Sequence, residues 1–150
     1  MGIFPFLNIR NTLNKENKDT AQAMVAVRRA LQLQITARQA LEKGNVPQYS
    51  SYRTEVFHVL GAAAQAAQRV NVDVNRLRKQ APSTIANQES RLIHDILGRI
   101  IDVRKYTAGS EMSPQQARKK SFEIENKLRG ILREENVHRG VERKIQATRR

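Results

Sequence analysis

Residues 60–70 read LGAAAQAAQRV, and for about two helical turns they carry almost no side-chain bulk. At about 100° per residue, Ala63, Ala66 and Ala67 lie in one stripe roughly 120° wide. The same stripe contains the larger apolar residues of the surrounding segment, namely Tyr52, Val56, Val59, Leu60, Val70, Val74 and Leu77. A stripe of this kind predicts a core-facing helix surface, and its alanines let a neighbouring helix approach closely.

Residues with little side-chain bulk also lie on the other side of this helix, outside the stripe. Gly61, Ala62 and Gln65 lie outside the stripe, towards His58 and Arg69. We expect the missing side chains to let a phosphate backbone lie close to the helix between basic residues. The stretch is therefore predicted to serve packing on one side and a ligand on the other.

Capping and turn residues divide the rest of the chain into helices. Gly44 is placed to end one helix in the left-handed conformation, and Pro82 breaks the next. Ser113-Pro114-Gln115-Gln116 is a capping box with proline at the first helical position. The predicted helices cover residues 20–44, 47–80, 85–107 and 114 onwards. Since each is amphipathic and the connections are short, the sequence predicts an all-α antiparallel bundle of about four helices.

The first residues, MGIFPFLNIR, fit neither a helix nor a strand period, and they resemble neither a signal peptide nor a membrane span. We therefore predict two parts: an extended apolar arm over 1–19 and a single helical nucleic-acid-binding and assembly domain over 20–150. The arm either packs against a neighbouring subunit or folds back on its own bundle, and the sequence does not separate the two. Its assembly residues would be Phe4, Phe6, Leu7 and Ile9.

The charge balance is strongly basic. The chain has 27 Lys and Arg against 14 Asp and Glu, a formal net charge of +13 and a sequence pI of about 10.9. Such a surplus repels itself unless a polyanion neutralises it. Nucleic acid is the leading candidate, followed by an anionic membrane surface and an acidic protein.

The basic residues form faces on the first two helices. An ordinary exposed helix mixes the two signs of charge, whereas these faces combine Arg and Lys with Gln and contain no acid. Such donors suit the phosphates and sugars of a nucleic-acid backbone, and a solvated basic face without a ligand is the alternative. The C-terminal helical extension ends in a basic tail, which we also predict to bind nucleic acid. The predicted nucleic-acid-binding residues are Arg28, Arg29, Gln32, Gln39, Lys43, Gln65, Arg69, Arg76, Lys79, Arg143, Lys144, Arg149 and Arg150.

Catalytic signatures are missing from the sequence. It has no cysteine, no glycine-rich phosphate loop and three scattered histidines, His58, His94 and His138. The E-x-x-H spacing at 135–138 would need a second copy to make a di-metal site. We therefore predict a protein that is not an enzyme and needs neither a cofactor nor a metal.

A small, helical, basic, cysteine-free chain with an apolar start resembles the major capsid proteins of filamentous archaeal viruses. The likeness lies in MGIFPFLNIR, the acid-free face between Arg28 and Lys43, and the four-helix plan over 20–150. It implies a subunit that coats linear double-stranded DNA in a helical filament, with a related second subunit. The abundance of Gln and Asn departs from what a protein of hot environments needs.

We thus predict a structural protein that wraps double-stranded DNA through basic helix faces, as a virion capsid or nucleoprotein subunit. Its partners would be nucleic acid and further copies of itself or of a related subunit, with no membrane span. The alternative is a basic helical scaffold or adaptor that binds an acidic protein or assembles without nucleic acid. A cytoplasmic, nucleoid-associated location is the alternative to the virion.

Overall fold

The described residues form four helices and no strand. The computed structural model describes the backbone of residues 3–80, 84–109 and 113–147 and the side chains of residues 10–80, 87, 88, 90–109 and 113–136. The helices are α1 (Ile3–Glu42), α2 (Val46–Gln80), α3 (Thr84–Thr107) and α4 (Pro114–Ala147). The predicted all-α bundle is confirmed.

Each helix packs on the next one in the chain, and α1 also packs on α4. The neighbours run antiparallel: the Thr12 hydroxyl near the start of α1 donates to Gln80 Oε1 at the end of α2, over 3.0 Å. Arg104 near the end of α3 likewise reaches the Phe57 carbonyl in the first half of α2. The four helices therefore form a closed ring in which only the α1–α4 seam lacks a connecting loop.

Two of the helix ends follow the predicted capping signals. Gly44 has a φ of 78°, and the Asn45 amide donates to the Ala40 carbonyl over 2.9 Å, which ends α1 in a Schellman-type turn. At the start of α4, the Gln116 amide donates to Ser113 Oγ over 3.2 Å. These local hydrogen bonds explain why glycine and serine mark the boundaries.

The extended arm predicted for residues 1–19 is wrong for the described backbone, because α1 is helical from Ile3. Asp19, the last residue of the predicted arm, lies in the middle of this helix and is buried. The buried positions do repeat with a helical period, but many are polar, so a search for apolar residues misses them. They are Thr12, Leu13, Glu16, Asp19, Thr20, Ala23 and Met24. The side chains of Phe4, Phe6, Leu7 and Ile9 lie outside the described residues.

The core contains the predicted stripes. Ala63, Ala66 and Ala67 are at most 3 % exposed, so the small residues of α2 do allow close helix packing. The bulk around them comes from the largest buried apolar side chains: Met24, Leu60, Leu77, Ile100, Ile124, Leu128 and Ile131. The core therefore lies between all four helices and alternates small and large residues.

A bidentate ion pair closes the α1–α4 seam. Arg38 donates from Nε to Glu125 Oε2 over 2.8 Å and from Nη2 to Glu125 Oε1 over 3.1 Å. The Glu125 side chain is fully buried, and the Arg38 guanidinium lies 4.5 Å from the Phe122 ring centroid. Arg38 also donates to Glu42 over 3.1 Å. The hydrogen bond to Glu125 is the main cause that raises the pKa of Arg38 above its ordinary value.

We expect Arg38→Met to lower the free energy of unfolding by about 3 kcal/mol, because it leaves the buried Glu125 carboxylate without its main partner. The double variant Arg38→Met/Glu125→Gln should recover most of that loss, since no buried charge remains. Urea denaturation measures both. Arg29→Met, at an exposed position of the same helix, is the control and should stay within about 0.5 kcal/mol of the parent. Equal losses for Arg38→Met and Arg29→Met would contradict this role.

Candidate nucleic-acid interface

The outward face of α1 presents long donor side chains to solvent. Arg28, Arg29 and Lys43 are exposed, and none of them forms an ion pair with a side chain in the described part of the chain. Gln32 and Gln39 are exposed beside them. This half of the predicted face is therefore available to a ligand that carries negative charge.

The outward face of α2 continues this surface. His58, Gln65, Arg69 and Arg76 fall within about 40° of one another on the helix and are all exposed. Arg69 joins the two helices, because its Nη2 donates to Gln22 Oε1 of α1 over 3.1 Å. The α1–α2 basic surface thus consists of Arg28, Arg29, Gln32, Gln39, Lys43, Gln65, Arg69, Arg76 and Lys79.

One end of this surface is not acid-free, which corrects the sequence-based expectation. Arg69 Nε lies 3.6 Å from Asp19 Oδ1, and Lys15 Nζ lies 3.6 Å from Asp73 Oδ1. Both carboxylates lie beneath the surface between α1 and α2. The Asp19 carboxylate therefore partly neutralises Arg69. Arg28, Arg29 and Arg76 are the better candidates for phosphate contacts.

The buried carboxyl groups under this surface perturb one another. Asp73 is fully buried, and burial together with the neighbouring Asp19 carboxyl raises the pKa of Asp73 from 3.8 to about 6. The Lys15 ammonium acts in the opposite direction. Since two adjacent carboxylates repel in a site with little water, a proton between them stabilises this end of the α1–α2 pair.

The missing side chain at Gly61 makes room for another helix, and not for the phosphate backbone that the sequence predicted. A Cβ atom on Gly61 would lie 2.9 Å from Arg104 Nη2, so the glycine makes room for this guanidinium. Arg104 also donates from Nε to the Phe57 carbonyl over 3.2 Å and lies 4.1 Å from the centroid of the Phe57 ring. Gly61 therefore serves α2–α3 packing, whereas Ala62 and Gln65 are exposed as expected.

The predicted C-terminal contacts lie largely beyond the described side chains. Helix α4 continues through Arg143 and Lys144 to Ala147, but the side chains of both, and all of Arg149 and Arg150, are outside the described residues. Within the described part, no three His, Asp or Glu side chains group as a metal site. No described helix has the length and apolar character needed to cross a membrane.

The comparisons with known proteins assign no relative to this chain. No protein family, curated protein or solved structure matches it.

We expect the contribution of Asp73 to the free energy of unfolding to fall as the pH rises from about 4 to about 7. The pKa of Asp73 is higher in the folded protein than in the unfolded chain, so folding is favoured while Asp73 is protonated. That stability is complete below the unfolded pKa of 3.8 and is lost as the pH passes about 6. A shift of about two pKa units corresponds to about 3 kcal/mol.

Chemical denaturation of the parent and of Asp73→Asn across this pH range measures the effect. The variant should be more stable than the parent at pH 7 and should lose much of the pH dependence. Asp102→Asn, an exposed position on α3, is the matched control and should keep the slope of the parent. Identical slopes for the parent and Asp73→Asn would show that Asp73 is not the titrating group.

Proposed function

We propose that this protein coats nucleic acid, with double-stranded DNA favoured, through the α1–α2 basic surface. The observation that carries the proposal is the pair Arg28 and Arg29, exposed side by side on α1 with no ion-pair partner among the described side chains. A solvated face without a ligand usually carries acids between its bases. Between Arg28 and Lys43 the sequence has one acid, Glu42, and it accepts a hydrogen bond from Arg38.

The shape of the surface supports contacts to the nucleic-acid backbone rather than to base edges. Helix α1 has 40 residues and is about 60 Å long, and the span from Arg28 to Lys43 is about 22 Å. Cations spread over such a length contact successive phosphates, which carry no sequence information. Binding would therefore be nearly independent of sequence and strongly dependent on salt, because each phosphate contact releases counterions.

In its more specific form, the proposal is a virion capsid or nucleoprotein subunit that assembles on DNA with copies of itself or of a related subunit. The helical plan and the net charge of +13 support it, as does the likeness to capsid proteins of filamentous archaeal viruses. A nucleoid-associated coating protein would use the same surface.

A second candidate is a basic scaffold or adaptor that binds an acidic protein. Two apolar residues favour it: Val25 on α1 is 61 % exposed and Val72 on α2 is 52 % exposed, and both lie on the outward faces among the basic residues. Apolar groups among cations suit a protein surface better than a phosphate backbone.

Replacing Arg28, Arg29 and Arg76 together with glutamine should weaken binding to duplexes of any sequence alike. The plot of log K against log salt should become shallower by about 2 to 3 units, because about 0.9 is lost for each phosphate contact. Fluorescence anisotropy over a salt series measures both quantities. The control replaces Lys105, Arg118 and Lys119, which are exposed on α3 and α4, with glutamine and so removes the same charge. It should retain most of the affinity and the slope.

Unchanged duplex affinity at low salt in the Arg28/Arg29/Arg76 variant, with helical content intact by circular dichroism, would refute the coating function. The adaptor function predicts a different result. Val25→Ser/Val72→Ser would then abolish assembly while duplex binding stays as in the parent. The ratio of absorbance at 260 and 280 nm of the native assembly tests directly whether nucleic acid is present.

A further inference from the structure

A groove with polar and charged residues in its lining lies between the last turns of α2 and the first half of α3. It has a volume of about 470 Å³ and is open to solvent. Its described lining consists of Arg78, Asn87, Ser90, Arg91, His94 and Asp95. Arg78 is separated from Arg76 by about 160° around α2, so the groove faces away from the α1–α2 basic surface.

The charges of the groove are favourable for an anion. Arg78 and Arg91 are exposed, come from different helices, and form no ion pair with a described side chain. Asp95, the acid in the described lining, already has a partner. Arg99 Nε donates to Asp95 Oδ2 over 3.1 Å. The lining of the groove therefore includes two arginines, one from each helix, that form no ion pair with a described carboxylate.

The uncharged groups add hydrogen-bond donors of the kind that oxyanions require. Ser90 offers a hydroxyl, Asn87 an amide and His94 a ring N–H. Guanidinium groups match the geometry of phosphate oxygens with paired N–H donors. The volume is in the range of small-molecule sites and exceeds what a lone phosphate needs.

We infer that the α2–α3 groove is a binding site for a phosphate group, carried either by a small phosphorylated molecule or by nucleic acid. Arg78 from α2 and Arg91 from α3 bind the phosphate oxygens, and the side chains of Asn87, Ser90 and His94 complete its hydrogen bonds. The site is separate from the α1–α2 basic surface and does not depend on that surface binding DNA.

The test uses inorganic phosphate, pyrophosphate, adenosine monophosphate and a short duplex as probes, at constant ionic strength set with chloride. Backbone amide chemical shifts of residues 87–95 report occupancy, and calorimetry gives the affinity. We expect saturable shifts in this segment with at least one probe. Arg78→Gln/Arg91→Gln should bind that probe about tenfold more weakly or worse, because each lost charged hydrogen bond is worth more than 1 kcal/mol.

The matched control is Arg118→Gln/Lys119→Gln, which removes two exposed charges from α4 and should bind as the parent does. Saturation by phosphate, pyrophosphate or the mononucleotide identifies a small-molecule source, and saturation by the duplex alone identifies nucleic acid. The proposal is overturned if no probe shifts residues 87–95, or if both double variants weaken binding equally. The Arg28/Arg29/Arg76 variant should leave these shifts unchanged, so this site and the coating surface can fail independently.

Discussion

The alignment of the helices is constrained by a buried charge, the carboxylate of Glu125. Glu125 is fully buried at the α1–α4 seam, where no loop joins the two helices, and Arg38 meets it with two hydrogen bonds. An ionised carboxylate tolerates such a place only when its partner is correctly positioned. Because an apolar seam alone would accept several alignments, we infer that this pair selects the register of α4 against α1. The core stripes of α2 and α3 then pack against one defined surface.

The apolar parts of the fold were predictable because their signal is local. The stripe of α2 can be recognised within a single segment, and Gly44 and Ser113 mark helix ends through hydrogen bonds to near neighbours. The first half of α1 was not predictable in this way. Its buried face contains Glu16 and Asp19, residues that ordinarily face solvent, so its helical period is carried by polar side chains.

In the candidate interface, too, the features set by local sequence were predictable, and those that depend on contacts between helices were not. The exposure of Arg28 and Arg29 follows from their helix face and was predicted. The pairing of Arg69 with Asp19, 50 positions earlier in the chain, depends on how α1 aligns with α2. The α2–α3 groove also escaped prediction, since Arg78 and Arg91 belong to different helices and α3 is nearly neutral as a whole. Charge counted by segment does not reveal sites that form between segments.

The contact of Arg104 with the bare backbone at Gly61 also constrains how the sequence can change. Any side chain at position 61 takes space that the guanidinium occupies, and a shorter residue at 104 leaves that space empty. A side chain at position 61 would push the flexible end of Arg104 aside and so disturb its hydrogen bond to the Phe57 carbonyl and its contact with the Phe57 ring. A larger residue at 61 therefore favours a shorter one at 104, and one side chain couples two positions that are 43 residues apart in the sequence.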